Sequence, residues 1–345
     1  MSRHRNIPVF IPHEGCPNNC VFCNQHSITG TDGTADRDIR PEIERALETC
    51  ADNEVQIAFF GGSFTGIDRA LMTRLLDDAF AYVRAGKVAS LRLSTRPDYI
   101  SAEILDLLKS HGVQSIELGL QSMSDRVLTA CQRGHTGDDA RRACAQIKAY
   151  GFELTGQMML GLPESSLADE LDTAQALADM GCDCARIYPT VVFENTELCA
   201  MARDGRYKPL TVEDAVRRGA AVYEVLVRRG VLPLRIGLQA TETLCTGEDV
   251  YAGPNHSALG ELIEGEYYFR RMCAELDLLC RTLSDGQRTL VLHCAPGEQS
   301  KVAGQRKRNK TRLAALLADK GFQPSDIRIY ADARVKKNEI RYGAL

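Results

Sequence analysis

Long apolar runs are missing from this 345-residue chain. No stretch approaches the roughly 18 consecutive apolar residues that a membrane span needs, which excludes a helical membrane protein. A secretory signal is missing too. Met1-Ser2-Arg3-His4-Arg5 leads into a strand-like segment with two prolines rather than into an apolar core. A soluble, cytoplasmic protein with no membrane partner is expected. Repeats at a fixed period and low-complexity linkers are also absent, so one barrel-sized domain with a smaller appendage, or two ordinary domains, fits the length. Hydrophobic residues at 44% and charged residues at 26% suffice for a full core.

Cysteine is abundant, with thirteen residues. Without a signal segment they do not read as a disulfide framework, because the cytosol keeps thiols reduced. Ten of them (Cys50, Cys131, Cys144, Cys182, Cys184, Cys199, Cys245, Cys273, Cys280, Cys294) are scattered, many in apolar settings where Cys packs as a small hydrophobe. Cys182, Cys184 and Cys199 suggest an auxiliary cluster, but no fourth ligand falls at a familiar spacing. The remaining three sit together in Gly15-Cys16-Pro17-Asn18-Asn19-Cys20-Val21-Phe22-Cys23-Asn24, a C-x3-C-x2-C loop directly after a strand-like segment. Pro17-Asn18-Asn19 is turn chemistry that curls the loop so that its sulfurs converge. Cube-shaped iron-sulfur clusters usually take four Cys ligands, so three would leave one iron open to something other than protein. Zinc held by the three Cys with His13 or His26 is the alternative.

Strand-like runs over 7–12, 55–61, 91–95, 115–120, 154–160 and 185–192 alternate with helical patterns over 39–51, 68–85, 102–111, 138–150 and 167–180. Repeated strand-helix units predict a parallel sheet with helices on its outer face. Six such units predict an α/β fold, a partial (β/α)6 TIM-like barrel with its site at the carboxyl ends of the strands. The cysteine loop follows the first strand and so belongs to that end. After residue 230 a strand over 232–238, a helix over 264–283, a strand over 289–294, a basic helix over 306–320 and a final strand pair over 326–330 and 335–342 suggest a smaller α+β domain, 231–345, beside a barrel domain, 1–230.

Several strand ends suit a bound cofactor. Phe59-Phe60-Gly61-Gly62-Ser63-Phe64-Thr65 closes the second strand with two glycines, which let backbone approach a ligand with no Cβ between. Leu160-Gly161-Leu162-Pro163 closes the fifth in the same manner. Asp98 and Glu117 stand at strand ends as candidate cavity carboxylates or caps of the following helices. His13 and Glu14 flank the cysteine loop, as support for it or as proton handlers.

Together with Ser115-Ile116-Glu117-Leu118-Gly119-Leu120-Gln121-Ser122 and Met159-Leu160-Gly161-Leu162-Pro163, these motifs resemble the radical S-adenosylmethionine (SAM) superfamily. Within it the chain is most similar to the radical-SAM half of the Elongator catalytic subunit and its short bacterial relatives, and more distantly to oxygen-independent coproporphyrinogen III oxidase. The nearer likeness rests on Ser94-Thr95-Arg96-Pro97-Asp98-Tyr99-Ile100, Arg133-Gly134-His135-Thr136, Ile187-Tyr188-Pro189-Thr190-Val191-Val192 and Gly205-Arg206-Tyr207-Lys208.

The resemblance implies that Cys16, Cys20 and Cys23 bind a [4Fe-4S] cluster whose fourth iron chelates SAM. It places the Phe22 backbone near the adenine, Gly61, Gly62 and Ser63 by the methionine amino group, and Gln121 and Arg133 along the ribose and carboxylate. Gln157 falls by the ribose hydroxyls, and Met159 and Tyr188 around the adenine. Ser94 stands where Elongator relatives carry a Glu that contacts SAM. The implied activity is reductive cleavage of SAM to a 5′-deoxyadenosyl radical, with an electron donor such as flavodoxin or ferredoxin. No acetyltransferase segment is expected within these residues, so Elongator's own product does not carry over.

Charge points toward the target. From residue 301 onward twelve Lys and Arg stand against four acids, within a chain of net charge −4. Lys301-Val302-Ala303-Gly304-Gln305-Arg306-Lys307-Arg308-Asn309-Lys310-Thr311-Arg312 holds six cations and no acid, a candidate contact for RNA phosphates, tRNA above all, or a solvated helix face. A radical enzyme acting on a small molecule or a protein is the rival reading.

Overall fold

The computed structural model describes residues 5–11, 16, 18–24, 36–50, 54–238, 247–284, 289–322 and 326–343. Its first eight strands are β1 Arg5–Phe10, β2 Val55–Phe60, β3 Ser90–Thr95, β4 Val113–Gln121, β5 Glu153–Leu160, β6 Cys184–Pro189, β7 Val192–Phe193 and β8 Leu232–Ile236. All but β7 form one parallel sheet in the order β1-β2-β3-β4-β5-β6-β8. The order never closes on itself, so the sheet is a curled half-barrel with β1 and β8 as its edges.

The expectation of six strands falls one short. The segment expected to open the carboxyl-terminal unit is β8, which pairs in parallel with β6. The helix Val212–Arg228 makes this possible by packing against the helices Leu167–Asp179 and Leu259–Ala274, so it serves as one more crossover. Pro233 fits there because β8 is an edge, where a missing N–H breaks no inner ladder. The strand expected over 185–192 is also divided. Pro189 ends β6, Thr190 donates its N–H to Leu160 O at 2.9 Å, and β7 pairs instead with β9, Val250–Ala252.

Helices along the outer face start where the chain supplies a cap. Thr136 with Asp139 and Ser166 with Asp169 form capping boxes, and Asp68, Ser101, Thr196 and Thr211 each accept a backbone N–H. Each such cap stabilises its helix by about 1 kcal/mol.

Alternation along the strands divides core from cavity. In β4 the side chains of Ile116, Leu118 and Leu120 are fully buried in the core, while Glu117, Gly119 and Gln121 face the concave side. In β6 the same division puts Ala185 and Ile187 in the core, and Arg186 and Tyr188 on the cavity.

Beyond β9, the helix expected over 264–283 is two helices, Leu259–Ala274 and Leu276–Ser284. The strand β10, Thr289–Cys294, is central to a second sheet, flanked by β11 (Asp326–Ala331, parallel) and β12 (Ile340–Gly343, antiparallel). The expected final strand pair is therefore not a hairpin, since each member bonds to β10 rather than to the other. Among the described residues no helix is long and apolar enough to cross a membrane.

Candidate active site at the mouth of the half-barrel

The cysteine loop is pinned by backbone bonds on both sides. Val21 N donates to Cys131 O at 3.2 Å, Leu198 N donates to Val21 O at 2.8 Å, and Cys23 N donates to Cys20 O at 2.9 Å. Val21 is buried with Val127, Cys131, Leu162 and Leu198 in a small apolar cluster against which Phe22 and Met159 pack. The loop thus has a floor of its own, separate from the main core.

Arg133 joins that loop to the barrel. Its Nη1 donates to Cys20 Sγ at 3.5 Å and its Nη2 to Gly119 O at 2.8 Å, while its buried Nε has no hydrogen-bond partner. The Arg133 carbonyl accepts from Asn18 Nδ2 at 3.2 Å and from Arg96 Nη2 at 2.6 Å. Arg96, only 1% exposed, is held in turn by a two-pronged contact to Asp98 at 2.9 and 3.0 Å. Asp98 is therefore the anchor of an arginine and not a cavity carboxylate. Two glycines make room for this arrangement. A Cβ on Gly119 would stand 2.9 Å from Arg133 Nη2, and Gly134, at φ +81°, lies directly against the Asn18 amide.

A cavity of about 660 Å³ opens here. All ten residues expected to contact SAM line it: Phe22, Gly61, Gly62, Ser63, Ser94, Gln121, Arg133, Gln157, Met159 and Tyr188. Cys16 and Cys23 line it as well, and Cys20 lies behind Arg133. Cys16 Sγ is 3.4 Å from Ser63 Oγ, which ties the loop to the end of β2. Gln121 takes a left-handed φ of 68° at an irregularity of β4, and its Oε1 accepts from Gln157 Nε2 at 3.3 Å. Strained backbone of this kind persists where the surroundings over-determine it, as binding sites do.

Some expectations are corrected. Gly161 does not line the cavity: a Cβ there would meet Leu210, its N–H donates to Glu170 at 2.7 Å and its carbonyl accepts from Tyr207. Gly61 keeps its place on the cavity wall, and a Cβ on it would also sit 3.3 Å from the backbone of Ile11, just after β1. Cys199 donates to Glu194, and the free thiol of Cys182 shares a hydrogen bond with the free thiol of Cys144, so the suggested auxiliary set is dispersed. Of the six cations in the 301–312 segment, three are engaged internally. Lys301 bridges Glu264 and Glu298, Lys310 faces Asp326, and Arg312 pairs with Glu266. Arg306, Lys307 and Arg308 remain exposed. His13, Glu14, His26 and Cys245 lie outside the described residues.

Sequence reasoning missed the charged floor of the cavity. Arg92, Arg186 and Arg235 line it with Glu117, whose Oε2 is 2.8 Å from Arg186 Nε. Burial pushes the Glu117 carboxyl above its usual range, against the opposing pull of Arg186, Arg92 and Arg235. The signal was present in the chain, as charged residues at the concave positions of otherwise apolar strands. Burial also pushes His135 down to about 4, helped by Arg133 and Arg96, so the imidazole beneath the loop is neutral.

Among the described residues no three His, Cys, Asp or Glu side chains converge on one point. The donor set nonetheless suits an iron-sulfur cluster. Three thiols share one loop at the cavity wall, a guanidinium stands against one of them, and that guanidinium keeps a buried donor unpartnered.

A parallel half-barrel with a three-cysteine loop after its first strand defines a class, and family models agree. The radical SAM superfamily matches residues 10–177 and the radical SAM C-terminal domain matches residues 182–268. The chain belongs to the radical SAM superfamily and is a radical SAM enzyme. Within that class it is similar to the tRNA uridine(34) acetyltransferase of Methanocaldococcus jannaschii, 25% identical over 299 residues, which cover 74% of this chain and 54% of the relative. It is also similar to Elongator complex protein 3 of Saccharomyces cerevisiae, 26% identical over 235 residues, covering 59% and 42%. The fold matches that of a solved archaeal Elp3 from Methanocaldococcus infernus with an N-terminal deletion (TM-score 0.62, 23% identity, 80% of this chain and 64% of that one). The chain spans about half the length of the curated relatives it matches.

Proposed function

We propose that this enzyme cleaves SAM at a [4Fe-4S] cluster held by Cys16, Cys20 and Cys23, and directs the resulting chemistry at RNA, most favourably tRNA, in the cytoplasm. The observation that carries the cofactor half is the gathering of all ten expected contact residues on one cavity with the cysteine loop at its rim. When bound, the cluster delivers one electron from a donor such as flavodoxin or ferredoxin, and SAM supplies the 5′-deoxyadenosyl radical.

The chain's own residues position and enclose. Arg133, with an unpartnered Nε and a planar fork, is suited to the methionine carboxylate. Gly62 and Ser63 offer backbone and hydroxyl where a side chain would block the methionine end. Gln121 and Gln157, already bonded to one another, present amides to the ribose. The Phe22 backbone stands by the adenine, with Met159 and Tyr188 around it, and together they exclude water from the radical.

The RNA half is supported by the relatives' tRNA-related name and by the exposed run Arg306, Lys307, Arg308. Phosphate contacts from such cations carry affinity and make it salt-dependent. Two experiments separate the halves. After anaerobic reconstitution, wild type should form 5′-deoxyadenosine, and Cys23→Ala should lose both cluster absorbance and cleavage; retained cleavage would mean the ligands are misassigned. Retention of tRNA measured against salt should weaken when Arg306, Lys307 and Arg308 are changed together to Glu, with the log-log slope falling by about two to three. An unchanged slope removes the argument for RNA.

A further inference from the structure

An arginine side chain only donates hydrogen bonds, so a hydroxyl bonded to one is fixed as the receiving partner. Arg186 Nη1 donates to Tyr188 Oη at 3.3 Å, the two side chains standing on the cavity face of β6. The O–H of Tyr188 must then point elsewhere. Among the described residues it meets no acceptor, and burial pushes the phenol above its ordinary range, against the pull of Arg186, so the proton stays on the oxygen. Tyr188 therefore presents a hydrogen-bond donor to the cavity.

Arg186 is held in the position that makes this so. Its Nε lies 2.8 Å from Glu117 Oε2, and its guanidinium stands over the Phe60 ring, 5.4 Å from the centroid. On the adjoining strand Met159 is the register partner of Tyr188 and lines the same cavity. A single aimed donor is thus set into mostly apolar wall, the pattern by which pockets fix the orientation of a ligand. A buried donor left without an acceptor is costly, and a ligand acceptor removes that cost.

We propose that Tyr188 donates a hydrogen bond to a ring nitrogen of the adenine of SAM, with Arg186 and Glu117 as the positioning residues that aim it. This deepens the reading of the cavity as a radical SAM site and rests on it. In adenine the unsubstituted ring nitrogens accept and the exocyclic amino group donates, so an O–H is matched by the former. Tyr188 then selects the orientation of the base as well as packing against it.

Binding, not turnover, decides the matter. Equilibrium dialysis is run on the full chain with its cluster reconstituted and no reductant present, so that SAM stays intact. The ligands are SAM, 5′-methylthioadenosine and the deaza forms of the latter, in each of which one ring nitrogen is replaced by C–H. Wild type should bind 5′-methylthioadenosine, and one deaza form should bind about fivefold more weakly, as the loss of one neutral hydrogen bond implies. Tyr188→Phe should lose about the same factor toward 5′-methylthioadenosine and SAM, yet bind that deaza form as wild type does. Arg186→Met combined with Glu117→Gln, a pairing that leaves no lone buried carboxylate, should shrink the preference for the parent over that deaza form. Loss of packing alone would weaken both ligands equally.

The proposal is overturned if wild type does not bind 5′-methylthioadenosine, if no deaza form is weakened, or if Tyr188→Phe binds the parent as wild type does or weakens parent and deaza form alike. Wild type that binds SAM and cleaves it on reduction, with Tyr188→Phe at full affinity, sinks this proposal alone. Wild type that binds none of these ligands sinks the proposed function with it.

Discussion

Replacing Gly134 by Ala tests how the cysteine loop is held. Gly134 sits at φ +81°, and a Cβ built there runs into the side chain of Asn18. Two costs follow. An L residue in the left-handed region costs roughly 1–2 kcal/mol. Asn18 must also swing aside, which loses its 3.2 Å bond to Arg133 O, worth about 1 kcal/mol net. That carbonyl keeps Arg96 Nη2 at 2.6 Å, so no larger desolvation cost is added. Gly134→Ala should therefore destabilise by about 2–3 kcal/mol and Asn18→Ala by about 1 kcal/mol. The double variant should be no worse than Gly134→Ala alone, because the same hydrogen bond cannot be lost twice. Urea unfolding of the four proteins closes the cycle, with a coupling of about 1 kcal/mol expected. Strictly additive costs would refute the contact between the loop and the Arg133–Gly134 turn, and with it this account of how the sulfurs are positioned.

Other outcomes follow from buried charge. His135 has a folded pKa of about 4 against an ordinary 6.5, so its neutral form is favoured by folding. Stability from this group is complete above about pH 6.5, falls as pH drops toward 4 and changes no further below it, a loss of at most about 3 kcal/mol. Thermal unfolding from pH 7 to 4 should show a shallower acid decline in His135→Gln, and identical profiles would refute the assignment. Arg218 meets Glu170 at 2.7 Å, the carboxylate being 1% exposed and also bonded to Gly161 N. Arg218→Leu strands that charge and should cost about 3–5 kcal/mol, visible as a lowered melting temperature, whereas Arg218→Leu with Glu170→Gln should recover part of it.

Periodicity made the first six parallel strands and their outer helices legible within a few residues, because apolar alternation and Ser, Thr and Asp caps are local properties. It failed at β8. A short, proline-bearing segment with exposed Leu232 and Leu234 reads the same whether it opens a new unit or closes an existing sheet. Only the packing of the helix Val212–Arg228 decides between them. The divided strand at Pro189 failed for a similar reason, since β7 finds its partner about sixty residues away in β9.

The site divides along the same line. Spacing alone brought Cys16, Cys20 and Cys23 together, and composition announced a basic tail. Sequence could not show that Lys301, Lys310 and Arg312 are occupied by acids distant in the chain while Arg306, Lys307 and Arg308 stay exposed. Nor could it show that Arg92, Glu117, Arg186 and Arg235, spread over 144 positions, share the floor of one cavity. Local chemistry is written in neighbouring residues, so the chain by itself determined the cysteine loop and the strand-helix rhythm. Charge balance in a cavity depends on which strands lie side by side, and only the tertiary structure decided that.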